Sequence, residues 1–301
     1  MFTQFLGSYL LKMRLVDTRQ LMRALEMQRG ERLRLGVLAQ NKGYMTAAQV
    51  EELHKLQRVQ DIRIGKLALE KGYLTTQQLE TLLEKQAMRY HLLGEALVRR
   101  GCMTQTEFDK AAAAFLGSGD MLDDDVRDAH TGKLSEMLYR YYHLEELQNH
   151  EEAQLLTAYL LLLFNCITRF VGDDFSPLEP RFITYYATGY AEEQCLESVE
   201  DNAYKLRCLI DGNENTFTEF AARYKGSVFD GYSEETAAAT GEFLSVVNSL
   251  FCEKVAQKFG KKMRMRSSER VKDTDCRYKR KALFVPVCFS FGTAGFVIGL
   301  E

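Results

Sequence analysis

The pattern of apolar and polar positions in the first 115 residues recurs every 29 residues. Segments that start at residues 5, 34, 63 and 92 align over 24 residues without a gap, and five residues separate each segment from the next. A fixed period of this length indicates a supersecondary unit that is repeated and buries its apolar face on its neighbours. We therefore predict four all-α repeats within residues 1–117.

Each copy carries the signals of a helical hairpin. A glycine at the third position lies where a short helix begins, and Gly43, Gly72 and Gly101 would end that helix in the left-handed conformation. Three residues further on, Asp or Thr is followed at the third residue by Gln or Glu, which is the capping box that opens a second helix. The four boxes are Asp17/Gln20, Thr46/Gln49, Thr75/Gln78 and Thr104/Glu107.

One column of the repeat is not explained by packing or capping. The first residue of the unit is arginine only in the two central copies, as Arg34 and Arg63, shortly before a glycine at a helix start. The free N–H groups of a helix start attract anions, and a guanidinium stacks on bases or binds phosphate and guanine edges. The glutamines that end these copies, Gln57 and Gln86, carry amides suited to a base edge. Two copies together suit an anionic ligand with two-fold symmetry.

The motif pair in the central copies resembles the MshEN domain, which lies at the N-termini of type II secretion and pilus ATPases. The resemblance covers residues 5–115, and members of that family bind cyclic di-GMP through two such motifs. It implies that the nucleotide is bound by Arg34, Leu35, Gly36 and Gln57 of the second copy and by Arg63, Ile64, Gly65 and Gln86 of the third. The first copy departs from the motif at Phe5 and Arg14 and the fourth at Leu92 and Phe115, so we expect these two copies to act as caps.

The second half of the chain mixes two periodicities. Apolar residues at helical spacing predict a buried helix over residues 152–172 and a long helix from Ser233 to about Phe259. Alternating residues predict strands, at residues 205–210, 262–266, 283–291 and 295–300. Strands that run together around a few long helices are typical of an α+β domain with an antiparallel sheet.

Composition changes between these two parts. Gly-Ser-Gly at residues 117–119 leads into an acidic patch, and a polar helix is predicted from about residue 133 to 149. We therefore expect a multidomain protein. It has helical-hairpin repeats in residues 1–117, an acidic linker with a bridging helix in residues 118–151, and an α+β domain in residues 152–301.

The order of elements in residues 152–301 resembles the CheX/CheC/FliY family of response-regulator phosphatases. In that family, the Glu of a helical ExxN motif pairs with a lysine of the receiver domain. The Asn amide orients the water that attacks the aspartyl phosphate, and the receiver supplies Mg²⁺. The resemblance implies Glu242 as the acidic residue, but Ser245 stands in the amide position.

The serine puts the phosphatase chemistry in doubt. Spacing of i, i+3 places Glu242 and Ser245 on one helix face. A serine hydroxyl is shorter than an amide and rotates freely, so we expect weakened or lost phosphatase activity with receiver binding kept. Asn248 lies about 120° around the helix from Glu242 and is a poor substitute.

Charge and composition agree with an anionic ligand for the repeats. The formal net charge is −3, made of +6 in residues 1–115 and −9 in the remainder. Seven cysteines without a close pair, and five scattered histidines, predict reduced thiols in a cytoplasmic protein and no protein-bound metal. The most apolar stretch, residues 155–171, is short for a bilayer span. Acidic residues interrupt the basic stretch 261–281, so nucleic-acid binding is not expected either.

Three functions remain open from the sequence. The first is a cytoplasmic bacterial signalling protein whose repeats bind cyclic di-GMP and whose second domain engages a phosphorylated CheY-like receiver or pairs with a copy of itself. The second keeps this layout and makes the protein an active aspartyl-phosphate phosphatase. The third treats the repeats as a nucleotide-independent docking module of a secretion or pilus system.

Overall fold

Paired helices make up the N-terminal part of the computed structural model. The structure describes residues 2–31, 34–84, 89–117, 138–147, 149–172, 174–199 and 204–301. In the first three of these ranges the helices are α1 (Phe2–Lys12), α2 (Thr18–Glu31), α3 (Leu35–Asn41), α4 (Ala47–Val59), α5 (Ile64–Glu70), α6 (Thr76–Glu84), α7 (Arg89–Arg99) and α8 (Gln105–Gly117). The even-numbered helices begin at intervals of 29 residues.

The predicted caps form the ends of these helices. In each of the four boxes the first side chain accepts a hydrogen bond from the backbone N–H three residues later, and its own N–H donates to that residue's side chain. Gly43, Gly72 and Gly101 have φ angles of 69°, 70° and 66°, and Arg14 takes the equivalent place in the first copy at 57°. The capping boxes and the left-handed glycines are thus confirmed.

The glycine at the third position of each copy has a packing role. A Cβ atom on Gly36 would lie 2.8 Å from a methyl group of Val50, and one on Gly94 would lie 2.3 Å from the ring of Phe108. In both cases the clashing side chain belongs to the second helix of the same hairpin. Glycine at this position lets the two helices of a hairpin approach closely.

The four helix pairs associate in a nested order. Apolar residues of α1, α2, α7 and α8 form one cluster, and those of α3 to α6 form another. We call the first and fourth copies together the outer pair, and the second and third copies together the middle pair. The expectation that the first and fourth copies act as caps is wrong, because these two copies share one apolar cluster that is separate from that of the second and third copies. Their departures from the motif accompany this mutual contact.

One antiparallel sheet organises the second half of the chain, which we call the sheet domain. Its strands are β1 (Phe175–Pro177), β2 (Arg181–Ala187), β3 (Tyr190–Ser198), β4 (Lys205–Gly212), β5 (Met263–Met265), β6 (Glu269–Arg270), β7 (Asp275–Phe289) and β8 (Gly292–Leu300). The order is β1-β7-β8-β4-β3-β5, with β2 also on β7 and β6 also on β3. The predicted α+β fold with an antiparallel sheet is confirmed.

The strand boundaries differ from the predicted ones, most of all in β7. The strand expected at residues 283–291 begins at Asp275 and ends at Phe289, because Cys276 and Tyr278 alternate with charged residues and continue the ladder. The first three strands and β6 were not predicted. Residues of β2 are mostly exposed, so that strand lacks an apolar alternation.

Three long helices cover one face of the sheet. They are α9 (His150–Cys166), which continues as a π-helical turn (Ile167–Val171), α10 (Glu214–Lys225) and α11 (Glu234–Phe259). Residues His150–Val171 are long and apolar enough to cross a membrane, but 78% of the most apolar window is buried inside the protein. The side chains of α9 form the centre of the main core together with those of α11 and the sheet.

The outer pair is joined to this core by apolar contacts. Phe5 is 1% exposed and packs edge-on against Tyr141 and Phe164. Ser176 of β1 donates a hydrogen bond to the backbone carbonyl of Gln4.

Residues 138–147 and 149 of the predicted polar helix at residues 133–149 are described, and they do not form one helix. A helical turn ends at residue 141, His143 has a left-handed φ of 50°, and a 3-10 turn follows at Leu144–Glu146. Leu138 is buried in the main core, so the expected continuous bridging helix is wrong.

Candidate functional site

Helix α11 carries the residues that the CheX-type resemblance implies. Ser233 and Thr236 form a capping box at its start, and the helix then runs across β3 and β4. Gly241 lies where the loop before β6 crosses the helix, because a Cβ atom there would be 2.6 Å from the Ser268 hydroxyl. The residues that follow, Glu242 and Ser245, are both partly exposed.

Glu242 is held by three neighbours. Its Oε1 accepts hydrogen bonds from the Tyr224 hydroxyl at 3.0 Å and from the Arg58 guanidinium at 3.1 Å. Its Oε2 pairs with the Lys225 ammonium group. Burial raises the pKa of Glu242, but the hydrogen bonds from Lys225 and Tyr224 and the nearby positive charges outweigh it and bring the pKa below its ordinary value. The carboxylate is therefore ionised at neutral pH.

Ser245 faces a different set of partners. Its hydroxyl oxygen accepts a hydrogen bond from the side-chain amide of Gln194 on β3 at 3.0 Å. The same amide nitrogen donates to the Arg266 carbonyl at 2.8 Å. The expectation of a freely rotating hydroxyl is wrong, because the Gln194 contact restricts the hydroxyl proton to directions away from that amide.

The chain of hydrogen bonds behind Ser245 continues into the core. Asn248 donates to the Gln194 carbonyl oxygen at 2.8 Å and accepts from the Tyr159 hydroxyl at 2.9 Å. Asn248 is completely buried, so it is not accessible to a partner. A buried amide network of this kind is costly unless every group is paired, and here it fixes the direction of the Ser245 oxygen.

A second acid lies close to Gly241. Glu192 of β3 is 5% exposed, and a Cβ atom on Gly241 would be 3.4 Å from its Oε2. Burial raises the pKa of Glu192 to about 7, and the charge of Arg270, 4.0 Å away, opposes that rise only in part. Burial thus brings the pKa of Glu192 close to neutral pH.

The arginines of the nucleotide hypothesis occupy equivalent positions in the middle pair. Arg34 and Arg63 directly precede α3 and α5 in an extended conformation, and neither side chain caps its helix. Both residues are exposed. The guanidinium of Arg34 donates to the backbone carbonyl of Val171 at 3.1 Å, which places it against the π-helical turn of the sheet domain.

The other residues of that hypothesis are less accessible. Gly36 and Gly65 are buried where the hairpin helices meet, Leu35 is buried, and Ile64 is partly buried. Gln57 is 3% exposed, and its amide donates to the Ile62 carbonyl at 2.8 Å. Its amide N–H is therefore engaged in the connection between the second and third copies. Gln86 lies outside the described residues.

Sequence reasoning missed four residues that shape this region. Arg58, Tyr224 and Lys225 surround Glu242, and Gln194 supports Ser245. A polar residue at a helix-facing position of a strand is a signal for Gln194, but β3 itself was not predicted. Among the residues that the structure describes, no group of three or more His, Cys, Asp or Glu side chains is placed to hold a metal ion.

About half of the chain is similar to solved structures of chemotaxis proteins. A CheC-like superfamily protein from Shewanella sp. PV-4 matches 49% of this chain and 97% of its own length, with 16% identity and a TM-score of 0.42. CheX from Vibrio vulnificus matches 49% and 99%, with 15% identity and a TM-score of 0.42. The CheX–CheY–BeF3–Mg²⁺ complex from Borrelia burgdorferi matches 49% and 97%, with 13% identity and a TM-score of 0.42. No protein-family model and no curated protein matches the chain.

Proposed function

We propose that the sheet domain binds the phosphorylated receiver domain of a response regulator through the surface around Glu242. The observation that carries this proposal is an ionised, partly exposed carboxylate whose position is set by Tyr224 and Lys225. A carboxylate fixed in advance pairs with a partner's cation at a lower entropic cost than a mobile one. Glu242 also stands at the acidic position of the ExxN motif that the helix resembles.

Hydrolysis of the receiver's aspartyl phosphate is expected to be slow on this surface. In-line attack needs a water that is oriented beside the phosphoryl group, with Mg²⁺ supplied by the receiver. Ser245 offers one short hydroxyl, and its oxygen already accepts a bond from Gln194. An asparagine at this position would extend an amide further from the helix, so the native protein binds the receiver and hydrolyses its phosphate weakly.

Receiver binding is tested with a CheY-type receiver domain activated by beryllium fluoride and Mg²⁺. Glu242→Gln is expected to weaken its binding to the full-length protein about tenfold, since one charge pair of this kind corresponds to roughly 1.4 kcal/mol. Glu253→Gln, on the exposed part of the same helix, is the matched control and should bind like the native protein. Native-like binding by Glu242→Gln would contradict the proposal.

Hydrolysis is tested by following the decay of a phosphorylated receiver. Ser245→Asn is expected to accelerate the decay by about two orders of magnitude over the native protein, which is the effect of placing a reacting group correctly rather than about 1 Å away. Ser245→Ala keeps binding and removes the residual acceleration. A native rate that equals the Ser245→Asn rate would favour the active-phosphatase alternative.

For the middle pair we propose binding of cyclic di-GMP. Two exposed arginines at equivalent helix starts support this proposal, because each start offers free N–H groups and a guanidinium to an anion. The burial of Gln57 assigns it a structural role, so base contacts would fall to the arginines. Cytoplasmic localisation and self-pairing of the sheet domain stay predictions.

Calorimetry with cyclic di-GMP tests this second function. Arg34→Ala and Arg63→Ala are each expected to abolish the heat of binding that the native protein shows at micromolar concentration. Arg23→Ala changes an exposed arginine of the first copy and should leave the heat unchanged. Absence of heat from the native protein would favour the third function, a nucleotide-independent docking module.

A further inference from the structure

Arg58 of the middle pair binds Glu242, the carboxylate that the proposed function assigns to the receiver. Its guanidinium is 3.1 Å from Glu242 Oε1 and lies over the ring of Tyr224, 5.4 Å from the ring centroid. Lys225 already holds the other carboxylate oxygen. Both oxygens of Glu242 are therefore engaged while α4 lies against α11.

Further polar contacts hold the middle pair in this place. Asp61, in the connection between α4 and α5, is 2.7 Å from Arg169 at the end of the α9 segment and 3.7 Å from Lys254 on α11. Arg34 donates to the Val171 carbonyl at 3.1 Å. Asp61 and Lys254 keep about a third of their side-chain surface exposed, so their ion pair contributes little and can be exchanged for water. Arg169 is mostly buried, and the Arg34 contact is made to a backbone carbonyl.

We propose that the middle pair and the receiver compete for one surface, which Glu242, Tyr224 and Lys225 form. The docked arrangement is then a closed state, in which Arg58 takes the place of the receiver's cation. This inference rests on the proposed function, because it requires that the receiver binds through Glu242.

The chemistry of the surface explains why the two occupants exclude each other. A receiver cation that pairs with Glu242 must approach the oxygen that Arg58 now contacts, and α4 covers that side of α11. The apparent affinity for the receiver is the intrinsic affinity multiplied by the fraction of molecules in which the middle pair is undocked. Variants that undock the middle pair without changing Glu242 should therefore bind the receiver more tightly.

Two charge reversals in the full-length protein test the competition. Arg58→Glu places a like charge next to Glu242, and Asp61→Lys places one next to Arg169 and Lys254, away from the carboxylate itself. Each is expected to bind the beryllium fluoride-activated CheY-type receiver about five- to tenfold more tightly than the native protein. Lys55→Glu makes the same charge change as Arg58→Glu, at an exposed position three residues earlier on α4, and should bind like the native protein.

The outcomes separate this inference from the proposed function. Tighter binding by both variants supports the competition, and Asp61→Lys shows that undocking rather than loss of the Arg58 charge is the cause. If neither variant binds more tightly while Glu242→Gln binds weakly, the competition is overturned and the proposed function stands. If Glu242→Gln binds like the native protein, or if the native protein and both charge reversals all fail to bind, both are overturned.

Discussion

The outer and middle pairs share one repeat unit but attach to the sheet domain in opposite ways. The outer pair inserts Phe5 into the main core beside Phe164, and Cys288 of β7 joins its apolar cluster. The middle pair keeps its apolar side chains within its own cluster and meets the sheet domain through charged groups such as Arg58 and Asp61.

This difference makes the attachment of the outer pair the stronger one. Complete burial of a large apolar side chain stabilises by roughly 1.5–3 kcal/mol, whereas a solvent-exposed ion pair contributes about 0.2–1 kcal/mol and weakens with salt. The outer pair is therefore anchored in the core of the sheet domain, and the middle pair is held by weaker contacts, as the proposed competition requires. One sequence repeat thus provides a core anchor in one pair and, under that proposal, a releasable element in the other.

The largest effect is expected from removing the anchor of the outer pair. Phe5→Ala should lower the free energy of unfolding of the whole protein by about 3–5 kcal/mol, because it leaves a cavity beside Tyr141 and Phe164. Chemical denaturation followed by circular dichroism measures this change. Val59→Ala, at a side chain that is 62% exposed, should change the value by less than about 0.5 kcal/mol. A similarly small loss for Phe5→Ala would remove the distinction between the pairs.

A core substitution in the middle pair should have a smaller and more local effect. Leu53 is fully buried in the cluster of α3 to α6, so Leu53→Ala is expected to cost about 2–4 kcal/mol within residues 34–84. Native-state hydrogen exchange should show faster exchange in α4 and α6 and unchanged exchange in β7 and β8. Equal acceleration in β7 would mean that the middle pair unfolds together with the sheet.

Added salt should weaken the attachment of the middle pair by about 1 kcal/mol more than that of the outer pair. Raising the ionic strength from about 0.05 to about 0.5 M shortens the screening distance severalfold, which weakens the contacts of Arg58 and Asp61. The distance between labels at Val59 and Lys258 should then lengthen or broaden. Labels at Met13 and Glu179, across the outer attachment, should report an unchanged distance. A change in the Met13–Glu179 distance alone would mean that the outer attachment is the salt-sensitive one.

The smallest effect concerns pH and the middle pair alone. Burial lowers the pKa of His54 below its ordinary value of 6.5, and the positive charges of Arg34 and Arg58 lower it further, while Glu51 opposes them. A lowered histidine pKa means that the folded state disfavours the charged ring, so stability is complete above pH 6.5 and falls as the pH drops below it. His54→Gln should abolish this dependence in the stability of residues 34–84, as measured by native-state hydrogen exchange at different pH values. Persistence of the dependence would exclude His54 as its source.

Local features of the repeats were predictable from the sequence because their causes lie within a few residues. Thr46 and Gln49 satisfy each other's backbone groups wherever the hairpin is placed, and Gly43 ends a helix for the same local reason. The α+β class followed from the alternation of strands with long helices. These predictions needed no knowledge of which parts of the chain meet.

Long-range contacts were not predictable in this way. The contact between Arg58 and Glu242 joins residues 184 positions apart, and both are charged residues of a kind that usually faces solvent. Nor does the 29-residue period say that the first copy packs on the fourth, since every copy offers a similar apolar face. Gln194 was missed because β3 carries polar residues on its helix-facing side. The support of Ser245 thus became visible only with the sheet in place.

The nested order of the repeat copies affects how the concentration of a receiver sets its binding. Because the outer pair is fixed to the core and encloses the middle pair in sequence, residues 34–84 are tethered at both ends. Redocking of Arg58 is therefore intramolecular, with an effective concentration on the order of millimolar for short connections. A receiver at micromolar concentration faces a competitor that never diffuses away. The fraction of protein that binds the receiver therefore depends less on the receiver's concentration than on what undocks the middle pair. A ligand that binds Arg34 is suited to that role, because Arg34 contacts the sheet domain at Val171.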